Sequence, residues 1–333
     1  MSQEDFREIT ADGVRAAARR LAGHAVRTPL IENDKLNDVT GGRVFLKTEV
    51  LQHCGSFKYR GAHNRLSQLT EEERARGVLA WSSGNHAQGV ARAAMLMGVP
   101  ATIVMPADAP AAKTEKVRRF GAEIITYDRY TQDREEIGRP LAAERGLALA
   151  PSYDHPDIIE GQGTLALETL EDLAGLGASL DAFLICCGGG GMTAGCATIL
   201  ASAAPQTEVW IAEPEGFDES WASVQSGARV RADITQKTIC DAIATPTPGK
   251  LTLPILQAHV TAGFAVSEED VLRAMAFAWR HLKLVVEPGG AVALAALITG
   301  KADVNGKTVA ATLSGGNVDV DVFARCLPFV AEV

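Results

Sequence analysis

A single lysine stands in the segment Gly-Ser-Phe-Lys-Tyr-Arg-Gly at residues 55–61. The segment lies between a predicted strand, Val44–Val50, and a predicted helix, Phe57–Leu69. Most lysines in proteins lie on solvated surfaces. Here the neighbouring glycine and aromatic ring and the helix start favour partial desolvation of Lys58. Desolvation lowers the pKa of an amine, so Lys58 is a candidate nucleophile.

A second polar segment, Ser-Ser-Gly-Asn-His-Ala-Gln-Gly at residues 82–89, joins a predicted strand to a predicted helix. Serine, glycine and asparagine at this place can be ordinary helix caps. The run is longer than one cap requires, however, and a helix N-terminus attracts anions. The segment therefore predicts a pocket for a carboxylate.

Four consecutive glycines, Gly188–Gly191, precede Met192 and follow a predicted strand at Ala182–Cys187. Such a run is costly in conformational entropy. In return, its backbone can approach a phosphate closely. The loop therefore predicts a phosphate-binding site.

The same loop has an alternative interpretation as a nicotinamide-cofactor site. Gly189-x-Gly191-x-x-Ala194 fits the dinucleotide fingerprint, and Glu213 ends the next predicted strand about 20 residues later. An NAD-dependent oxidoreductase is thus a second hypothesis. A dinucleotide site does not require four consecutive glycines, however, and it gives no role to Lys58 or to the segment 82–89.

Leu-Ser-Gly-Gly-Asn at residues 313–317 ends another predicted strand, Thr308–Leu313. The Ser314 hydroxyl can exchange a hydrogen bond with a ring nitrogen of a ligand. Taken alone, the segment is better explained as an ordinary strand-to-helix turn.

The elements that carry these segments alternate between strand and helix, which predicts an α/β fold with parallel sheets and covered faces. Residues 77–153 are predicted to form a small α/β domain, and residues 1–76 and 154–333 a larger one. Within the small domain we predict four strands and three helices: strands Gly77–Trp81, Ala101–Met105, Glu123–Tyr127 and Leu147–Ala150, and helices Asn85–Met97, Ala112–Phe120 and Tyr130–Arg145.

The composition excludes several classes of protein. The 333 residues predict about two domains, and the 47% hydrophobic and 22% charged content is ordinary for a globular protein. The net charge of −9 argues against nucleic-acid binding and against an anionic membrane surface. Six cysteines show no metal-binding spacing. The acidic N-terminus lacks the features of a signal peptide, so we predict a cytoplasmic protein.

Together, in this order, the four segments resemble the serine/threonine dehydratase family of pyridoxal phosphate (PLP) enzymes, to which serine racemases are related. The resemblance extends from about Thr28-Pro29-Leu30 to Asn317. It implies a tryptophan synthase β-like fold with two three-layer α/β/α domains and mostly parallel sheets. It also implies a homodimer.

The resemblance assigns roles to single residues. Lys58 forms the Schiff base with PLP and takes the substrate Cα proton. Ser83 matches the second base of racemases. The remaining positions bind cofactor or substrate: Phe57, Asn85, Gly188, Gly189, Gly190, Gly191, Met192 and Ser314 for PLP, and Ser82, Ser83, Gly84, Asn85 and His86 for the substrate carboxylate.

A divalent cation, Mg²⁺ or Mn²⁺, is also implied, with Glu213, the backbone of Phe217, and Glu219 as its ligands. The sequence departs from the family here, because relatives usually have Asp at the position of Glu219. It departs again at Cys54, where Thr is common, next to His53. A cationic His53 would favour a substrate with a second carboxylate such as 3-hydroxyaspartate, although a surface position in a loop explains this residue better.

The predicted function is a PLP-dependent ammonia-lyase that removes water from a small β-hydroxy amino acid, serine or threonine first, to give a 2-oxo acid and ammonia. The alternatives on the same fold are 3-hydroxyaspartate dehydratase and amino-acid racemase. The chain ends soon after Asn317, so a C-terminal regulatory domain is not expected.

Overall fold

The computed structural model describes residues 7–109, 111–128, 130–233 and 235–333. In this part of the chain the strands form one sheet of six and one of four. The predicted α/β fold with mostly parallel sheets is confirmed, since among the described strands only the pairing of the first two is antiparallel. The strands are β1 (Leu30–Glu32), β2 (Arg43–Lys47), β3 (Val78–Trp81), β4 (Ala101–Pro106), β5 (Glu123–Tyr127), β6 (Ala148–Leu149), β7 (Ala182–Cys186), β8 (Glu208–Pro214), β9 (Val260–Val266) and β10 (Thr308–Thr312).

Helices cover both sheets, as the hydrophobic faces of parallel strands require. The helices are α1 (Ala11–Leu21), α2 (Asp34–Thr40), α3 (Lys58–Ser67), α4 (Glu71–Arg76), α5 (Asn85–Met97), α6 (Ala111–Arg119), α7 (Arg134–Arg145), α8 (Pro156–Gly175), α9 (Gly191–Ala203), α10 (Glu219–Ser226), α11 (Thr252–His259), α12 (Glu268–Phe277), α13 (Pro288–Ile298) and α14 (Val320–Ala324). A π-helical turn, Ala278–Leu282, continues α12.

The six-stranded sheet has the order β1-β2-β10-β7-β8-β9, and the four-stranded sheet has the order β5-β4-β3-β6. The second sheet comes entirely from the predicted small domain. Its hydrophobic core also takes in Tyr59, Ala62 and Leu66 of α3, from outside the segment 77–153. The domain boundaries therefore stay a prediction.

The three strands that precede the chemical segments end toward one region of the molecule. β3 leads into residues 82–89, β7 into the tetraglycine loop and β10 into Ser314. Ligands of open α/β sheets bind at the carboxyl ends of the strands. Helix α3, which begins at Lys58, packs against both α5 and α8 and so lies between the two sheets.

Several elements differ from the predictions. The sequence pattern predicts a helix over Gly163–Leu173, whereas helix α8 begins at Pro156 with His155 as its N-cap. The charged run Glu71–Arg76, which the sequence predicts as the start of a polar connection, forms helix α4. Helix α11 and strand β9 were not predicted. No helix in the described ranges combines the length and the apolar character that a bilayer crossing needs. The predicted cytoplasmic location stays a prediction.

Candidate active site

A cavity of about 150 Å³, called here the catalytic cavity, brings together all residues predicted to bind PLP or substrate. Its walls come from the chain segments that follow β3, β7 and β10 and from the start of α3. The predicted residues that line it are Phe57, Lys58, Ser82, Ser83, Gly84, Asn85, His86, Gly188, Gly189, Gly190, Gly191, Met192 and Ser314.

Lys58 is the first residue of α3, and its loop is joined to the Ser314 loop by backbone contacts. Phe57 N donates to Ser314 O at 3.1 Å, and Ser56 forms an antiparallel bridge with Gly315. The Lys58 ammonium donates to Ser152 O at 2.8 Å and lies 5.1 Å from the centre of the Phe57 ring. Burial, reinforced by the charge of Arg134, lowers the pKa of Lys58 to about 8. Lys58 is therefore an amine that can lose its proton near neutral pH.

The tetraglycine loop presents backbone amides to the cavity. Its carbonyl groups are engaged elsewhere, since Gly188 O accepts from Ser220 Oγ at 2.7 Å and Gly189 O from Thr252 Oγ1 at 2.8 Å. Among the described residues, no amide N–H from Gly188 to Met192 has an acceptor. Successive unpaired amides at the start of a helix, here α9, form an anion-binding nest.

Glycine is required in this loop because Tyr153 packs directly against it. A Cβ atom on Gly189 would lie 2.6 Å from the Tyr153 ring, and one on Gly191 would lie 2.8 Å from Tyr153 Cβ. Gly190 has a φ of +87°, which L side chains rarely adopt. The next residues add one more donor, because the buried Thr193 hydroxyl has no partner in the described structure.

Helix α5 begins at Asn85, so its free amide groups face the same cavity. His86 Nε2 donates to Ala150 O at 2.7 Å, and its buried Nδ1 has no partner among the described residues. Burial lowers the pKa of His86 to about 3. The imidazole is therefore neutral, and the backbone amides of α5 are the donors available to a carboxylate.

These features of the chain fit PLP. A desolvated amine, a nest of unpaired amides with the orphaned Thr193 hydroxyl, and the Ser314 hydroxyl all face one cavity. Amine, phosphate and ring-nitrogen partners are the three contacts that PLP needs.

The three residues predicted to bind a cation lie outside the catalytic cavity. Glu213 accepts from Ser220 N at 3.1 Å and from Trp221 N at 2.9 Å, so its carboxylate caps α10. Glu219 accepts from Thr245 Oγ1 at 2.7 Å, and its other oxygen is buried without a partner in the described part of the chain. Burial raises the pKa of Glu219 to about 7. Burial also raises the pKa of Glu213, and the negative charge of Glu219 raises it further. Within the described ranges, no group of three His, Cys, Asp or Glu side chains is arranged for a metal ion.

The location of Glu213 at the start of α10, away from the glycine loop's cavity, contradicts the hypothesis of a dinucleotide site. In a dinucleotide site this carboxylate would bind a ribose. Here it is 1% exposed, bound to two backbone amides, and outside the cavity that contains the glycines.

His53 is not among the residues of the catalytic cavity either. Its ring packs edge-on against Tyr59 at 4.9 Å, and Arg92 lies 3.3 Å from Nδ1. Burial and the Arg92 charge lower the pKa of His53. The structure therefore does not bring His53 to a position where it could bind a second substrate carboxylate.

Sequence reasoning missed several charged residues of the catalytic cavity, namely Lys113, Arg134, Asp241 and Glu287. They come from α6, from α7, from the loop before α11 and from the residue before α13. Only the Glu-Pro-Gly-Gly run that begins at Glu287 offered a local signal, a helix start rich in glycine. Nothing in the local sequence distinguishes Arg134 from the other arginines of its helix.

Comparison with known proteins agrees with this geometry. The family model described as "Pyridoxal-phosphate dependent enzyme" matches residues 21–315. The chain is 46% identical over 311 residues to the L-threo-3-hydroxyaspartate ammonia-lyase of a Pseudomonas species, with 93% of this chain and 96% of the relative covered. It is 43% identical to the enzyme of the same description from Saccharomyces cerevisiae, with 93% and 94% covered. The solved structure of maize serine racemase superposes with a TM-score of 0.90 at 33% identity, covering 98% of this chain and 99% of that one. The chain belongs to the family of pyridoxal-phosphate-dependent enzymes.

Proposed function

We propose that this enzyme is an ammonia-lyase that removes water from 3-hydroxyaspartate and releases oxaloacetate and ammonia. Two relatives at 43–46% identity carry the description L-threo-3-hydroxyaspartate ammonia-lyase, which supports this choice over serine or threonine. The proposal narrows the predicted reaction on β-hydroxy amino acids to a substrate with a second carboxylate.

One observation of the structure carries the narrower proposal. Arg134 lines the catalytic cavity, and its charge contributes to lowering the pKa values of Lys58 and His86. In the described part of the chain the Arg134 side chain forms no hydrogen bond or ion pair. An unpaired guanidinium beside the reactive amine is suited to bind a carboxylate through two parallel hydrogen bonds.

Lys113, the other charged side chain of the cavity that could bind the second carboxylate, is already paired with carboxylates of the protein. Lys113 lies 3.3 Å from an Asp241 oxygen and 3.7 Å from an Asp319 oxygen. Arg134 is therefore the better partner for the second carboxylate of the substrate.

The chain's own residues account for the rest of the reaction. When bound, PLP supplies an electron sink for the electrons left on Cα. The amides at the start of α5 would hold the α-carboxylate. Lys58 Nζ would accept the Cα proton, because its lowered pKa leaves a free amine near pH 8. The proton taken up by Lys58 would then be given to the β-hydroxyl, which leaves as water, and the released enamine tautomerises and hydrolyses to the 2-oxo acid and ammonia.

Ser83 supports a second candidate activity, racemisation. It lines the cavity together with Lys58 and matches the second base of racemases in the family. Loss of D-amino acid formation in Ser83→Ala, with 2-oxo acid formation retained, would support this side activity. Intact racemisation in that variant would rule out Ser83 as the second base.

Glu213 and Glu219 remain the proposed ligands of a divalent cation, with the Phe217 backbone. Both carboxylates are buried, the charge of Glu219 raises the pKa of Glu213, and Glu219 has an unpartnered oxygen; these features are consistent with a bound cation between them. A Mg²⁺ or Mn²⁺ titration followed by thermal unfolding tests this, with Glu219→Gln as the variant that should lose the stabilisation.

A homodimer remains proposed as well. Exposed apolar side chains, including Leu51, Trp279, Val285 and Val320, are available for a subunit interface. Light scattering of the purified enzyme tests this. A Trp279→Glu variant should shift the molar mass toward that of one chain.

The deciding experiment compares kcat/KM for L-threo-3-hydroxyaspartate, L-threonine and L-serine by release of the 2-oxo acid. Arg134→Gln should lower the value for hydroxyaspartate by roughly 10- to 100-fold, the worth of one charge-assisted contact. It should change the value for threonine much less. Arg145→Gln, on the same helix but outside the cavity, is the matched control. Equal losses for all three substrates would refute the assignment of Arg134.

A further inference from the structure

A second cavity adjoins the catalytic cavity. Its volume is about 440 Å³, and it shares Arg134, Ser152 and Tyr153 with the first. We call it the outer cavity. Its walls come from the start of α7 with the preceding Asp133, from the connection at residues 149–155 and from residues 229–231 and 246–250, with Trp81 on one side.

The outer cavity is richer in cationic than in acidic side chains. Among the described residues it is lined by five cationic side chains, Arg134, Arg139, Arg229, Arg231 and Lys250, and by three carboxylates, Asp133, Glu135 and Asp154. The whole chain carries a net charge of −9, so the outer cavity has a local excess of positive charge on a molecule that is negative overall.

The three carboxylates are committed to partners in the protein. Asp133 Oδ1 caps α7 by accepting from two backbone amides, at 2.7 and 3.3 Å. Asp154 accepts from the backbone amides of Lys250 and Leu251 at 2.9 and 2.8 Å. Glu135 is paired with Arg139 at 2.8 Å. The oxygens of each carboxylate are thereby partly occupied, and Glu135 is also paired with a positive charge.

The cations are engaged to a smaller extent. Arg231 is exposed, and within the described structure neither its side chain nor that of Arg134 makes a hydrogen bond or ion pair. Arg229 uses only its Nε, on Pro248 O at 3.0 Å. Arg229 and Arg231 are thus exposed cations that line the same cavity as Arg134.

We propose that the outer cavity is an anion-collecting vestibule, in which Arg229 and Arg231 attract a dicarboxylate and pass it to Arg134. The inference rests on the proposed function, because a 3-hydroxyaspartate carries one net negative charge at neutral pH and serine or threonine carries none. A protein with a net charge of −9 repels such a substrate at long range. A cleft of opposite sign raises its local concentration and its association rate.

The kinetic test uses the PLP-loaded enzyme and the double variant Arg229→Gln/Arg231→Gln. At low ionic strength kcat/KM for hydroxyaspartate should fall about threefold to tenfold with kcat unchanged, and threonine should be unaffected. Added salt should shrink the difference, since salt screens exposed charges. Arg19→Gln/Lys35→Gln removes the same charge from exposed positions on α1 and α2, outside both cavities. An equal loss in this control, or an equal loss for threonine, would overturn the proposal.

A binding test does not depend on which substrate is turned over. Trp81 lines the outer cavity and stacks with Arg139, so its fluorescence should respond to an occupant. Titration of the holoenzyme with succinate should give a saturable change that disappears in Arg229→Gln/Arg231→Gln and in Trp81→Phe. The change should persist in Arg19→Gln/Lys35→Gln.

The two tests separate the two proposals. If hydroxyaspartate is not a substrate but succinate binds as described, the proposed function fails and the anion site stands. If hydroxyaspartate is turned over while the double variant keeps the wild-type kinetics and succinate response, the vestibule is refuted and the proposed function stands.

Discussion

The side-chain amide of Asn85 donates a hydrogen bond to the Glu287 carboxyl group across 2.5 Å, although 202 residues separate them in the sequence. On its other side, the Asn85 oxygen accepts from Asn317 Nδ2 at 2.8 Å. These two contacts determine which way the Asn85 amide points. Its oxygen is used by Asn317, and one N–H remains for the cavity. A ligand beside Asn85 therefore meets a donor and not an acceptor.

Replacement of Glu287 should test this orientation. Burial raises the pKa of Glu287 to about 8, so the group is mostly neutral at pH 7. Glu287→Gln keeps a neutral acceptor and should bind PLP like the wild type at that pH. Glu287→Ala releases the Asn85 amide and should weaken PLP binding about tenfold, the worth of one hydrogen bond. Absorbance titration of the apoenzyme measures both. Equal weakening in the two variants would mean that the negative charge is needed.

The pH dependence of PLP capture should report the Lys58 amine. Only the unprotonated amine attacks a carbonyl group, and burial lowers the pKa of Lys58 to about 8. The capture rate should therefore rise about tenfold per pH unit below pH 8 and level off above it. Arg134→Gln removes a neighbouring positive charge, so the midpoint should move to higher pH. Stopped-flow absorbance measures the rate. An identical midpoint in Arg134→Gln and in the control Arg145→Gln would show that Arg134 has no influence on the amine.

The sequence allowed the strands that end at the active site to be predicted, because each is a short apolar run followed directly by polar or glycine residues. The start of α8 was missed for a physical reason. Its first turns contain glycines that usually mark loops, yet Gly161 and Gly163 are needed for close packing. A Cβ on Gly161 would lie 2.7 Å from Gly61 Cα, and one on Gly163 would lie 2.5 Å from Gly195 O. Only tertiary structure shows such contacts.

The charged residues of the site were harder to predict than its glycines. Arg134 and Glu287 reach the catalytic cavity from segments that are far apart in the chain. The sequence around Arg134 has no chemical pattern, and the glycine-rich run after Glu287 indicates a helix start but not a charged partner in the site. Strand β9 was missed because it alternates poorly, with glycine at its centre and only its two ends buried. The local sequence predicts which loops bind a ligand, whereas the partners contributed by other segments depend on the packing of the two sheets.

Acid should destabilise the protein through two buried histidines. Burial lowers the pKa of His86 to about 3 and that of His63 to about 4, whereas both are near 6.5 in the unfolded chain. Because the unfolded chain binds these protons first, stability is lost as the pH falls below about 6.5. The loss is about 2 kcal/mol per histidine at pH 5. Urea unfolding of the apoenzyme at pH 7, 6 and 5 measures it. His63→Gln should show a shallower decline, and an unchanged slope would contradict this origin.

Arg60, two residues after Lys58, holds the first turn of α3 in place through buried ion pairs, and its replacement should lower the free energy of unfolding. Its fully buried guanidinium pairs with Glu49 at 2.8 Å and with Glu168 at 2.7 Å. Arg60→Met leaves the buried Glu49 carboxylate without this partner, so unfolding should require about 3–5 kcal/mol less free energy. Arg139→Met, which breaks an exposed pair with Glu135, should cost less than about 1 kcal/mol. Urea unfolding compares the two.

The double variant Glu49→Gln/Arg60→Met should recover part of the loss, because it no longer buries an unpaired charge. If Arg60→Met costs no more than Arg139→Met, the buried pair does not stabilise the fold around Lys58.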